Sequence, residues 1–349
     1  MQNRAIIAEP VEPEYLEQFL RGLGEFYYWP NEGNLGDYLI AEATRQVFRR
    51  NGLVWKEYRP ESPPEEESYT IVYGGGGRFV PHWGGMDLFE EHLTRPQVRK
   101  CIILPHSIQG VDEFVSALDE RHSVFCRDRK TLSYCRALNS RAEFTLAHDM
   151  GLGLSVSDLP GLAYIEPLKA GAEDEDKTQY KLLKGGGASH AWHRMKLSTV
   201  KVGGYGNKVT FVLRTDKEKS VQVSSDFAYD LSILYAASCR ETPYSAQIVR
   251  LMADLLSCPD VVVTDRLHVA IMAMHVGKEV YMLDNDYGKL SGVYEVSLAN
   301  RENVHLLPAG KAWPMQLRMA WFQLNAPWRR CYYAARAYAR QLLNKLRSE

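Results

Sequence analysis

Short runs of β-branched and aromatic residues recur along this chain at intervals a crossover helix can fill, and this spacing restricts the fold more than any other feature. The runs cover residues 69–73, 101–104, 123–126, 209–213, 261–263 and 279–283. Each is largely apolar, as a strand buried on both faces of a parallel sheet must be, and most are separated by enough chain to return through a helix. Stacked βαβ units, and therefore an α/β fold, are predicted throughout. At 349 residues the chain exceeds the length at which one hydrophobic core usually divides. Two domains are expected, and 45% hydrophobic with 24% charged residues is material for two cores.

Charge and cysteine usage remove several function classes. A net charge of −1 gives no overall positive field for nucleic acid, so any anion site must be local. The six cysteines are scattered, with no Cys-x-x-Cys pair to found a zinc or redox site, and read as packed thiols of a cytosolic protein. Neither a signal peptide nor a run of roughly 20 apolar residues is visible. The expectation is a cytoplasmic protein without a metal or cofactor, able to act at the inner face of the cell membrane.

Composition divides the chain. Between residues 161 and 206 an acidic patch at 173–176 is followed by Gly185-Gly186-Gly187 and Gly203-Gly204-Tyr205-Gly206, a composition expected to resist regular elements. We read an N-terminal Rossmann-like domain over 1–180, a linker with loops over 181–207, a C-terminal Rossmann-like domain over 208–310 and a tail over 311–349. The tail interleaves Trp313, Trp321, Phe322, Trp328, Tyr332 and Tyr333 with arginines and lysines and has a single acidic residue. Two readings stay open: a helix packing its aromatics on the N-terminal domain, or a basic amphipathic helix in the headgroup layer of an anionic membrane.

The segment most suggestive of chemistry is 261–273, where three valines end in Thr264-Asp265-Arg266-Leu267-His268 and helical spacing follows. This places Arg266 and His268 at the carboxyl end of a strand, where open α/β sheets bind ligands. A helix N-terminus favours anions, an arginine adds a bidentate fork, and a histidine exchanges protons near neutral pH. The bland reading has Arg266 paired to Asp265 and His268 capping a backbone group. Arg214 and Lys289 follow two other strands of the same half, and three strand-end cations can converge on one anion. In the N-terminal half, Asn34 and Asp37 flank a Gly-containing turn before a helix and suit capping or sugar hydroxyls. The strand at 69–73 runs into Gly74-Gly75-Gly76-Gly77-Arg78, which lacks the ending of a phosphate-binding P-loop and reads as a tight strand-to-helix turn beside the cleft. A third polar loop carries His106 and Ser107.

Together these segments resemble the polysaccharide pyruvyl transferase family. The likeness is carried by Asn34-Leu35-Gly36-Asp37, Gly74-Gly75-Gly76-Gly77, Leu104-Pro105-His106-Ser107-Ile108, Phe125-Cys126-Arg127-Asp128, Phe211-Val212-Leu213-Arg214, Thr264-Asp265-Arg266-Leu267-His268 and Gly288-Lys289, in family order. The resemblance implies two Rossmann-like domains in a GT-B-like arrangement with the active site in the interdomain cleft. It implies phosphoenolpyruvate as donor, a sugar acceptor, free or lipid-linked, and a pyruvate ketal as product. By the same resemblance Arg266, Leu267, His268 and Arg214 are donor contacts. On chemical grounds His268 is the expected acid, Lys289 a further donor cation, and Asn34, Asp37, Gly75, Gly76, His106 and Ser107 the acceptor or cleft loops. Competing readings are a glycosyltransferase using a nucleotide-sugar and a non-catalytic subunit of a polysaccharide assembly machine.

Overall fold

The computed structural model describes residues 9–81, 84, 86–202, 207–216, 227–284, 288–307 and 313–326. Its framework is two sheets. The first has six parallel strands in the order Trp55–Glu57, Phe26–Trp29, Tyr69–Tyr73, Val98–His106, His122–Cys126, Glu143–Leu146. In the second, Val304–Leu307, Glu279–Leu283, Val261–Thr264 and Lys208–Val212 are parallel neighbours, and Thr199–Lys201 closes the edge antiparallel. With helices connecting the parallel strands, the fold is α/β and compatible with Rossmann-like architecture. All six apolar runs are strands. Of the five strands in these two sheets that hydropathy did not reveal, four, Trp55–Glu57, Glu143–Leu146, Thr199–Lys201 and Val304–Leu307, are the sheet edges. Edge strands are short and more polar because one side faces solvent, which erases the apolar signature.

The first sheet changes winding direction between Phe26–Trp29 and Tyr69–Tyr73, since the chain visits one neighbour and then returns past its start to the other. Crevices for ligands open at such points, beyond the carboxyl ends of the strands. Here Asn31 and the 74–78 loop emerge. Between the sheets lies the Leu35–Arg50 helix, buried from Leu35 to Phe48 except at Asp37, which faces the cleft. One side, with Ile40, Val47 and Phe48, packs on Phe26, Tyr28, Val72 and Leu104 of the first sheet. The other, with Leu35, Leu39 and Ala43, joins Ile248, Met252, Val269 and Ile271 of the second half. Enclosed by both halves, this helix is a shared core element, and its buried polar side chains must find partners inside the fold. Its only fully buried arginine, Arg45, is held by both oxygens of Glu57 at 3.0 Å and by the Cys239 carbonyl at 2.8 Å.

Two expectations are corrected. The stretch 161–206 is not irregular: helices Asp174–Lys184 and Gly186–Leu197 occupy it, followed by the Thr199–Lys201 strand. The acidic patch forms the first turn of a helix, where negative charge complements the backbone dipole. Gly185 is the junction between the helices, and burial of Leu183, Ala191 and Met195 in the second half's core offsets the poor helix propensity of the glycines. Gly203 to Gly206 lie outside the described residues. In the tail, Met315–Leu324 is a helix whose Leu317, Ala320 and Leu324 pack with Trp313 and Trp321 around Phe211 and Leu283. The partner is therefore the second sheet, not the first half. Trp328, Tyr332 and Tyr333 lie outside the described residues. Among those described, no helix is long and apolar enough to cross a membrane.

Candidate active site

One cleft of about 330 Å³ collects side chains from both sheets. From the first half come Asn31, Asn34, Asp37, Arg78 and Arg127, and from the second Arg214, Asp216, Arg266, Leu267 and His268. A short antiparallel pairing of Gly33–Asn34 with Ala236–Ala237 links the two sides at the rim.

On the first side, Asn34 caps the Leu35–Arg50 helix by accepting from the Gly36 N–H at 2.8 Å, and Asp37 Oδ2 accepts from the Asn34 N–H at 2.8 Å. This capping box satisfies two of the helix's unpaired donors and turns the loop into the cleft. Asp37 Oδ1 accepts from Asn31 Nδ2 at 2.9 Å, and Tyr73 donates to Asn31 Oδ1 at 2.7 Å. Burial raises the Asp37 carboxyl above its usual range, opposed by the His268 charge and by these donors.

The Gly-rich segment is not a strand-to-helix turn. It continues the sheet edge: the Gly76 N–H donates to the Pro105 carbonyl at 3.1 Å and the Ser107 N–H to the Gly76 carbonyl at 2.9 Å. Gly76 has φ 147°, and a Cβ there would lie 2.6 Å from Asn31 Nδ2, so glycine is required. Gly75 backs onto the Pro105 carbonyl, and the cleft is lined instead by Gly77 and Arg78. His106 is fully buried, with its ring 4.4 Å from that of Phe79. Its Nε2 accepts from the Arg78 N–H at 3.0 Å and its Nδ1 faces the Gly74 carbonyl at 3.3 Å, so the neutral ring pins the loop from behind rather than facing a ligand. Ser107 likewise donates to Asp128 Oδ2 at 2.6 Å and accepts from Arg127 Nε at 2.9 Å. Both are structural supports, not cleft-lining groups, because the polar atoms expected to meet substrate are already paired inside the fold.

On the second side, Val261–Thr264 delivers Arg266 at the N-cap of helix Leu267–His275. Arg266 does not pair with Asp265, whose Oδ1 accepts from the Arg214 N–H at 2.7 Å. Its Nε and Nη2 instead meet the two oxygens of Asp230 at 3.1 and 2.5 Å, and Nη2 also reaches Asp216 Oδ2 at 2.8 Å. Arg214 holds Asp216 through Nε at 2.8 Å and Nη2 at 3.0 Å. Asp216 thus bridges two arginines at the cleft wall. Lys289 opens a helix whose N-cap is Gly288 at φ 70°, while its side chain lies outside the described residues.

His268 crosses toward the first sheet. A Cβ on Gly36 would lie 2.5 Å from its Nδ1, and its Nε2 stands 3.8 Å from Asp149 Oδ2. Asp149 accepts from Arg127 Nη1 at 2.8 Å and from the Gly151 N–H at 2.8 Å. Burial alone would raise this carboxyl, yet the facing imidazole and Arg127 outweigh it and hold Asp149 well below the usual carboxylate range. Arg78 and Arg127 stand inside sequence motifs that give them no individual role, and the sequence does not single out Asp149, Asp216 or Asp230. An acid between ordinary loop residues carries no local signal. Among the described residues, no three His, Cys, Asp or Glu side chains are arranged to hold a metal ion.

Comparisons with known proteins identify the family. The polysaccharide pyruvyl transferase family model matches residues 34–287, most of the chain. EpsO of Bacillus subtilis (strain 168), whose name assigns it provisionally as a pyruvyl transferase, is 24% identical over 301 residues, covering 80% of this chain and 86% of that protein. A crystal structure of a functionally uncharacterised Klebsiella pneumoniae protein superposes with a TM-score of 0.62 at 25% identity, covering 84% of this chain and 97% of the other. With the family model matching most of the chain, this protein belongs to the polysaccharide pyruvyl transferase family and is a transferase of that class.

Proposed function

We propose that this enzyme transfers pyruvate from phosphoenolpyruvate to two hydroxyls of one sugar in a surface polysaccharide or its lipid-linked precursor, forming a ketal and releasing phosphate. The observation that carries the reading is the convergence of Arg78, Arg127, Arg214 and Arg266 with His268 on one cleft. A donor bearing both a carboxylate and a phosphate needs several fixed cations, and protonating the methylene carbon of an enol phosphate needs an acid. His268 protonates the methylene carbon, and the first hydroxyl adds to the oxocarbenium centre. Its proton restores His268. Phosphate then departs, and the second hydroxyl closes the ring while its proton leaves with phosphate. Arg214, Arg266 and Lys289 serve the donor, and the loop from Asn31 to Asp37 faces the acceptor.

This reading puts the first sheet on the acceptor side and the second on the donor side, a GT-B-like arrangement. The packing of the Asp174–Lys184 and Gly186–Leu197 helices supports assigning them to the donor side. The proposal is tested by incubating the protein with phosphoenolpyruvate and a panel of free and lipid-linked sugars. Phosphate release matched by pyruvate in the product is expected. Turnover of nucleotide-sugars instead would establish a glycosyltransferase, and no turnover with either donor would favour an assembly subunit.

The tail supports a cytoplasmic enzyme working at an anionic membrane. Helix Met315–Leu324 buries one face, and its opposite face exposes Met315, Met319 and Phe322 beside Arg318. Residues 327–349 then add six basic side chains against one acidic. Apolar groups flanked by arginines suit the headgroup layer of anionic lipid. Sedimentation with phosphatidylglycerol vesicles, lost in a Met315→Ser/Met319→Ser/Phe322→Ser variant, is the expected result; equal binding to neutral vesicles or by the variant would refute it.

A further inference from the structure

The Leu267–His275 helix touches the turn at Met150–Gly153 twice on one face. His275 Nε2 donates to the Gly151 carbonyl at 3.0 Å, and seven positions earlier His268 Nε2 points at Asp149 Oδ2, 3.8 Å away. The Gly151 N–H in turn donates to Asp149 Oδ1, so a single turn of the first half holds both contacts in place. His268 Nε2 is shut off from solvent and makes no hydrogen bond among the described residues. A buried ring nitrogen without a partner is costly unless one comes within reach. The charged groups around the ring are Asp149 from this turn, Arg127 behind it, and Asp37 from the Leu35–Arg50 helix, whose carboxyl feels the His268 charge. The other ring nitrogen, Nδ1, lies against Gly36, a cleft-lining residue.

We propose that Asp149 is a positioning residue that fixes the His268 proton on Nε2, leaving Nδ1 as the atom that exchanges the catalytic proton with substrate. Arg127 keeps the Asp149 carboxylate charged and aimed, and a shift of less than an ångström completes the Nε2–H bond. A histidine whose second nitrogen is held by a carboxylate has one tautomer and one orientation, as in hydrolase triads, where the carboxylate acts through the imidazole. The role assigned to Nδ1 rests on the reading of His268 as the acid. The tautomer does not.

The test is ¹⁵N NMR of histidine-labelled full-length protein, with the His268 signals identified by their loss in His268→Asn. At alkaline pH the neutral ring is expected to carry its proton on Nε2; a proton on Nδ1 overturns the proposal and leaves pyruvyl transfer standing. In Asp149→Asn both tautomers should appear, and kcat should fall roughly 10²-fold while KM for phosphoenolpyruvate stays within about twofold, because only the proton-transferring group is disturbed. A fall in kcat with the tautomer unchanged would assign Asp149 a purely structural role and also overturn it. If leaving Arg127 uncompensated prevents that variant from folding, the wild-type tautomer still decides. A fixed Nε2–H tautomer in a protein that does not turn over phosphoenolpyruvate would keep the coupling and reject the activity.

Discussion

Gly36 and His268 face each other across the junction of the two halves so closely that a Cβ on Gly36 would sit 2.5 Å from the imidazole Nδ1 and 2.9 Å from its Cβ and Cγ. Gly36→Ala should therefore push the ring from its place, at about 1–3 kcal/mol of overpacking, and lower kcat more than tenfold. Gly186→Ala, at a helix position with open space around it, is the control and should be neutral or slightly stabilising. Thermal melts with turnover assays distinguish the two; an active Gly36→Ala enzyme would show that the contact is not used.

Asp216 occupies the cleft wall as an internal anion between Arg214 and Arg266. Its side chain is about one-third exposed, so the pairs contribute little to stability, whereas a substrate anion must compete with them. Asp216→Ala should lower KM for phosphoenolpyruvate roughly three- to tenfold, worth about 1 kcal/mol, while Arg266 stays anchored by Asp230. Initial rates at varied donor concentration check this. A raised KM would mean that Asp216 aligns the two arginines for the donor.

His106→Ala tests whether that residue supports the loop or meets substrate. Removing the ring leaves the Arg78 N–H without its acceptor and opens a cavity beside Phe79. The expected loss is about 2–4 kcal/mol of stability, read by denaturant unfolding, with activity recovering in proportion to the folded fraction at low temperature. Complete inactivity in a folded variant would return His106 to the site.

Acid should loosen the junction. The folded Asp149 carboxyl is held below its ordinary value of about 4, so the unfolded chain binds that proton more readily and the Arg127–Asp149 pair contributes fully only above about pH 4 to 5. Its contribution falls away as pH drops further. Asp37 has the opposite sign, since burial raises its carboxyl and protonation relieves a cost. Melting temperatures followed from pH 7 to pH 3 should decline less steeply in Asp149→Asn than in the wild type, and parallel slopes would contradict the assignment.

The interior strands other than Phe26–Trp29, the α/β class and the Arg266-Leu267-His268 junction were legible because each is written in contiguous residues: β-branched runs buried on both faces, then a helix start. The capping box at Asn34 and Asp37 was legible for the same reason. Edge strands were not, since half their surroundings are solvent, nor were the helices between 161 and 206, whose glycines are offset by a core assembled from distant segments. Sequence alone thus determined most of the interior strands of the two sheets and which motifs stand at their ends. Tertiary structure decided which atoms those motifs use: Arg266 turned to Asp230 and Asp216, His106 was spent behind the loop, and His268 was set against Asp149, 119 positions away in sequence (268 − 149). The physical reason is that hydrogen bonds and ion pairs depend on distance in space: each half folds distant segments of its own chain together, and the packing of the two halves around the Leu35–Arg50 helix sets His268 against Asp149.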